Sequence, residues 1–159
     1  MKTELRFDEV KEEKVRFLEQ HKYVVVATSL ENRVTARTVR YASEGLNIIF
    51  FTLKHSKKVA QIKANPKVAL CVDNVSIEGI AEIVTQRKEE GKRLAEVIKK
   101  KFPGYLEWWL ARAPQLVVFV KVTPILIATW ITGDKPFIEY LDLQNQNACL
   151  TIPWEKQEY

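Results

Sequence analysis

In the stretch FFTLKHSKKVAQIKANP, residues 50–66, a serine and two adjacent lysines stand where a helix should begin. Phe50-Phe51-Thr52 closes an apolar run and Leu53-Lys54-His55 reads as a loop. Ser56 is then placed to cap a short helix over about 57–64. The first turn of a helix carries unpaired N–H groups and the positive end of the macrodipole. Acidic side chains are favoured there by roughly 0.3–1 kcal/mol each. Lys57 and Lys58 have the wrong sign for that place. Two readings are open. Either the pair is exposed and tolerates the small dipole cost, or an anion sits at the helix start. A phosphate there would gather backbone N–H groups, the Ser56 hydroxyl and two ammonium groups. Arg37, on the preceding hairpin, is near enough in sequence to add a bidentate fork, although alone it is as readily a surface strand residue.

Other chemistry finds little support. His21 and His55 are the only histidines, and neither lies at ligand spacing from Cys71 or Cys149, so no metal site is expected. Neither histidine carries a triad signature, and no GxGxxG or Walker loop occurs among the five glycines. Paired carboxylates stand only on charged helix faces, where solvation explains them. If the chain is an enzyme, a cofactor is expected to supply the reactivity.

The elements that would position these residues can be read from periodicity. Residues 8–20 place Val10, Val15, Phe17 and Leu18 among charges, an amphipathic helix with Asp8 as its candidate cap. YVVVATS, RVTARTVRYA and LNIIFFT read as strands separated by Leu30-Glu31-Asn32 and Ser43-Glu44-Gly45, which predicts an antiparallel meander. The short helix stops before Asn65-Pro66, and KVALCVD and SIEGIAEIV form the next two strands. Helices are predicted over 86–101 and in YLEWWLAR. QLVVFVKVTPILIATWIT is apolar on both faces, which fits the barrel core on one side and a partner subunit on the other. Pro124 cannot donate to a ladder, so a bulge or an edge is expected there. The whole predicts a mainly β, α+β fold: a six-stranded antiparallel split barrel with flanking helices, one domain over 1–159.

Length and composition set the frame. A chain of 159 residues, 47% of them hydrophobic, supports one globular domain with a real core. No run of about 18 uninterrupted apolar residues exists, so no helical span is expected. The start MKTELRFDEVKEEK has no apolar signal core and the two cysteines are far apart; a cytoplasmic protein with reduced thiols is the expectation. The net charge of +5 admits anionic partners without choosing one. Nucleic acid is not expected, because the strands lack the aromatic–basic alternation of a stacking platform.

VVVATSLENRVTARTVRYA, LNIIFFTLKHSKKVAQIKANPKVALCVD, SIEGIAEIV and VFVKVTPILIATW, in that order and spacing, resemble the pyridoxamine 5′-phosphate oxidase-like family of FMN-binding split barrels. The likeness runs from about Tyr23 to Ile131. It implies that the strand Arg37-Thr38-Val39-Arg40 lies along the isoalloxazine ring and that the pair Phe51-Thr52 touches the flavin. It further implies that Ser56, Lys57 and Lys58 hold the phosphate. The family's usual basic pair is arginine–lysine, so Lys57 departs from it. Where relatives often carry a glutamine that reaches the flavin, this chain has Asn74. The resemblance implies FMN as cofactor, a homodimer with two sites at its interface, and an oxidoreductase passing hydride or electrons between FMN and a small molecule or oxygen. A non-catalytic flavin carrier or sensor, or a deazaflavin-binding relative, is the alternative. Haem is disfavoured, since neither histidine is a convincing axial ligand. True oxidases of the family carry a basic, histidine-containing C-terminal motif. LDLQNQNACLTIPWEKQEY has Lys156 as its only basic residue, so oxidation of pyridoxine 5′-phosphate is not expected.

Overall fold

Period-two burial builds the wall of the fold. In the computed structural model, which describes residues 2–154, the order is β1 (Lys2–Leu5), α1 (Phe7–Gln20), β2 (Tyr23–Leu30), β3 (Arg33–Arg40), β4 (Ala42–Glu44), β5 (Asn47–Leu53), α2 (Lys57–Ala64), β6 (Lys67–Val72) and β7 (Val75–Thr85). Then follow α3 (Glu89–Lys101), α4 (Tyr105–Arg112), a 3-10 turn (Pro114–Leu116), β8 (Val117–Ile131), β9 (Phe137–Asp142) and β10 (Asn147–Thr151). Val24 and Val26 of β2, Val68, Leu70 and Val72 of β6, and Val75 and Ile77 of β7 are buried, while the residues between them face outward.

Every strand pairing is antiparallel, in the order β1-β10-β9-β8-β7-β6-β2-β3, with β5 joining β8 and carrying β4 on its other side. Strands β2 and β5 share no ladder, yet Val24 and Val26 pack in one buried cluster with Ile48, Phe50, Val120 and Val122. The sheet therefore curls around that cluster and leaves a seam between β3 and β5: the split barrel. Each of those side chains contributes roughly 1.5–3 kcal/mol by leaving water. The β2–β3 turn falls at Glu31 and Asn32, both with positive φ, as a two-residue hairpin of the primed type requires. The predicted meander is corrected at its next step. β5 pairs with β8 and β4, not with β3, because the register Ile48↔Val122 to Leu53↔Val117 is a non-local match that adjacency in sequence does not reveal.

β8 is the central strand. Its register on β7 slips between Glu78↔Leu126 and Gly79↔Pro124, the bulge expected at the proline. Below the bulge it pairs with β5 and β7; above it, with β7 and β9. Gly79 allows that approach, since a Cβ there would lie 2.7 Å from Val122 Cγ1. The two apolar faces of 117–122 are both covered within the chain. Val120 and Val122 enter the barrel core, whereas Val117 and Phe119 lie in a second buried cluster with Leu94, Ile98 and Leu106 of α3 and α4. The partner subunit expected on that face is thus replaced by the chain's own helices.

Helix α1 runs from Phe7, with Arg6 rather than Asp8 at the cap position; Asp8 lies in the first turn. It is fastened to the far side of the sheet by a buried pair, Lys14 Nζ to Glu139 Oε1 at 2.6 Å. The strands β1, β9 and β10 were not foreseen from sequence. They make 137–151 part of the sheet, and Lys156 lies outside the described residues. Both cysteines are free, Cys71 exposed and Cys149 buried. No described helix is long and apolar enough to cross a membrane.

Candidate functional site

Strand β3 pairs only with β2, and residues 50–53 of β5 pair only with β8, so two unpaired strand edges border the seam. Helix α2 caps one end of it. Its bounds, 57–64, agree with the sequence reading, and Ser56 stands at the N-cap with extended φ and ψ. Its hydroxyl, however, makes no capping bond. It lies 3.4 Å from Thr52 Oγ1 instead, so the N–H groups of the first turn gain no side-chain acceptor.

Beneath the helix start is a polar cluster. Opposed residues of an antiparallel pair share a face, so Thr28↔Thr35 and Val26↔Arg37 place both threonines and Arg37 on the side of β2 that enters the barrel. Gln61, buried on the inner face of α2, closes the cluster. Its Oε1 accepts from Thr28 Oγ1 at 2.6 Å, from Thr35 Oγ1 at 2.9 Å and, more distantly, from Arg37 Nη2 at 3.4 Å. Arg37 Nη1 donates to Thr28 Oγ1 at 2.7 Å and to the Val26 carbonyl at 3.2 Å, while Nη2 donates to Thr35 Oγ1 at 2.5 Å. Both terminal nitrogens of the Arg37 fork thus bond within the protein. What Arg37 delivers to the seam is fixed positive charge.

Lys58 is the second fixed cation. Its Nζ donates to Thr52 Oγ1 at 2.9 Å, which turns the half-buried ammonium inward under the helix start. Burial, and then the nearby Arg37 charge, hold its pKa below the ordinary lysine value. Burial alone also lowers Arg37. All of the hydrogen-bond partners of Arg37 and Lys58 are neutral oxygens, and neither residue has an ion-pair partner among the described residues. Two like charges are thus held together at the cost of desolvation, an arrangement an anion would relieve.

The rest of the seam is aromatic. Phe51 faces outward against Tyr105 of α4, ring centroids 5.0 Å apart, and the Arg40 guanidinium lies 4.5 Å above that tyrosine ring. Val39 turns inward against the barrel core and Thr38 is exposed between them. Along the strip that borders the seam, Arg37, Val39, Thr52 and Lys58 turn inward with Ser56 at the helix cap, whereas Thr38, Arg40 and Phe51 lie on the outward face. Lys57 stands at the rim of the strip, exposed and outside the hydrogen-bonded cluster. Asn74 does not join them. It sits on the β6–β7 turn and donates to the Trp130 carbonyl at 2.7 Å; the registers Val25↔Cys71 and Ala27↔Ala69 put that turn toward the Tyr23 end of β2, away from Thr28. Sequence reasoning missed Gln61, Thr28, Thr35 and Tyr105. Gln61 left a signal, a lone amide between the buried Val59 and Ile62 of a short helix. No cluster of three or more metal-ligating side chains occurs among the described residues.

An antiparallel split barrel with a cationic cluster at its open seam is the class that this geometry defines. The chain belongs to the pyridoxamine 5′-phosphate oxidase family, whose model matches residues 10–131. Among solved structures it is similar to the pyridoxamine 5′-phosphate oxidase-related, FMN binding protein of Nostoc punctiforme, with 15% identity, 91% of this chain and 93% of that chain covered, and TM-score 0.60. It also resembles Campylobacter jejuni ChuZ, with 15% identity, coverage of 98% and 68%, and TM-score 0.73. A third similar fold is the heme binding protein of Mycobacterium smegmatis, with 11% identity, coverage of 83% and 57%, and TM-score 0.64. Identities this low show the fold alone. Among curated proteins none matches the chain significantly in sequence.

Proposed function

We propose that the seam binds FMN and that the protein is a flavin-dependent oxidoreductase. The observation that carries this reading is the pair Arg37–Lys58: two partly buried cations, coupled to each other, served only by neutral oxygens and placed beside a helix N-terminus without a side-chain cap. A phosphate dianion matches that deficit, drawing on Lys58, the Ser56 hydroxyl and the first N–H groups of α2. Lys57, at the rim, adds charge without a fixed direction.

The unpaired edge of β3 from Thr38 to Arg40 and the Phe51–Tyr105 wall suit a flat, polar-edged ring system beside that phosphate. When bound, FMN would supply the hydride or electron chemistry. The chain's own residues position it, and the Arg40 guanidinium keeps positive charge beside the aromatic wall, where it favours an anionic reduced partner. No described side chain in the strip is a carboxylate or a histidine, so no general acid or base is assigned. A carrier or sensor role uses the same contacts without turnover.

The reading includes a homodimer. The outward face of β2, β3, β7 and β8 exposes Tyr23, Val25, Val34, Ile80 and Trp130, a sheet face that no described helix covers. This face, not 117–122, is where a second copy is proposed to pack. Asn74 and the half-exposed Trp130 lie together at one end of it, so a second copy offers a route by which Asn74 reaches a flavin.

The test is a comparison of two flavins by fluorescence quenching. FMN should bind at least about tenfold more tightly than riboflavin, the consequence of one charge-assisted contact to phosphate. Equal affinities would remove the phosphate from the Lys58 pocket.

A further inference from the structure

We propose that the cavity beside the flavin seam, at the Thr52 end of the barrel, is a separate binding site for a small organic anion, a carboxylate or phosphate ester. Its volume is about 740 Å³, and Lys54, Gln86, Arg87, Gln115 and Val118 are among its walls. Three loops converge there: β5 to α2, β7 to α3, and the 3-10 turn before β8.

The walls are tied together before any ligand arrives. Gln86 Nε2 donates to the Pro114 carbonyl at 2.5 Å and to the Val117 carbonyl at 2.9 Å. The Lys54 N–H donates to the Leu116 carbonyl at 2.8 Å. One side chain thus clasps both ends of the turn, and the β5 loop holds its middle. Such fixed geometry lowers the ordering cost of binding.

The charge selects the class of ligand. Lys54 and Arg87 border the cavity, neither has an ion-pair partner among the described residues, and no carboxylate lines it. Val117, Val118 and Pro114 add an apolar floor. A molecule with one anionic end and an apolar body meets both features.

Position ties the cavity to the seam. Val118 is opposed by Thr52 on one side and by Thr85 on the other, so one strand width separates the cavity from the residue that holds Lys58. Its role as the site of the flavin's reaction partner rests on the flavin reading; the anion site itself does not.

Isothermal titration with two probes, benzoate and phenyl phosphate, distinguishes carboxylate from phosphate. At least one probe should bind both the FMN-free and the FMN-saturated protein. The double variant Lys54→Ala, Arg87→Ala should weaken it at least tenfold while FMN affinity changes less than twofold. Both residues are exposed on loops, and a melting curve checks that the variant is folded. Lys58→Met should leave probe binding to the FMN-free protein intact. Absence of binding at millimolar probe, displacement of the probe by FMN, or undiminished binding to the double variant would each overturn the proposal. If the probe behaves as expected and FMN does not bind at all, the flavin reading fails and the anion cavity stands.

Discussion

Replacing Lys58 with methionine keeps most of the aliphatic stem and deletes the charge, and its two consequences should have opposite signs. The Lys58 ammonium sits partly buried beside Arg37, with Thr52 Oγ1 as its one hydrogen-bond partner among the described residues. Its folded pKa is depressed, so the unfolded chain binds the proton more tightly than the folded one. The penalty on folding is full below the folded pKa, shrinks as pH rises through it, and is gone above the unfolded value of about 10.4. Stability of the unliganded protein should therefore climb with pH across that alkaline window. In Lys58→Met the climb should vanish and neutral-pH stability should equal or exceed that of the parent. FMN affinity should fall, because a charge-assisted hydrogen bond of about 1.5–3 kcal/mol is lost, which is about 10- to 150-fold. Riboflavin affinity should stay within about twofold. Denaturant melts at neutral and alkaline pH, alongside FMN and riboflavin titrations, read all of this. A variant less stable than the parent at neutral pH, with both flavins weakened alike, would show that Lys58 serves the fold and not a phosphate.

Gln61→Leu removes the acceptor shared by Thr28, Thr35 and Arg37; the unmet buried donors should cost about 1–3 kcal/mol in denaturant melts, with weaker FMN binding as Arg37 loses its brace. Gly91→Ala places a Cβ 2.0 Å from the Thr85 carbonyl oxygen, so the α3 entry must shift, and a loss of about 1–3 kcal/mol is expected in the same assay. Val25→Glu with Ile80→Glu, on the uncovered sheet face, should give a folded monomer by sedimentation; an unchanged dimer would move the interface elsewhere. The FMN-loaded protein should release no hydrogen peroxide from pyridoxine 5′-phosphate above background. Turnover near the common enzyme rate of about 10 per second would show that the basic C-terminal motif is dispensable in this chain.

What the sequence disclosed was local, and what it hid was long-range. Helix α2 was legible to its ends because Ser56 and Asn65-Pro66 punctuate it, and the bulge at Pro124 followed from a missing N–H. The β2–β3 hairpin announced itself at Glu31-Asn32. The pairing of β5 with β8 spans about seventy residues and carries no mark in either segment, so adjacency suggested β3 instead. That same pairing leaves the β3 edge open, and the candidate site lies along it. The apolar run 117–122 was read rightly as two-sided, but periodicity does not say whether α3 and α4 or another chain covers the second side. Strand β9 alternates buried and less buried residues ahead of the turn at 143–146, and β10 after it buries Ala148 and Cys149 side by side. The signal of β9 was present and passed over, while β10 carries no such alternation.

The candidate site divides along the same line. Spacing placed Ser56, Lys57 and Lys58 together because all three lie at one helix start, with Lys57 expected to matter as much as Lys58 or less. Depth separates them. Lys57 points to solvent, while Lys58 turns back to Thr52, a residue that the β5–β8 ladder holds at the barrel's end. Arg37 shows the other limit. Its place on β3 agrees with the sequence reading, and both terminal nitrogens serve Thr28, Thr35 and the Val26 carbonyl. A guanidinium held in this way stays beside Lys58. The neutral threonines and Gln61 fix its position without cancelling its charge, and that leaves the seam positive.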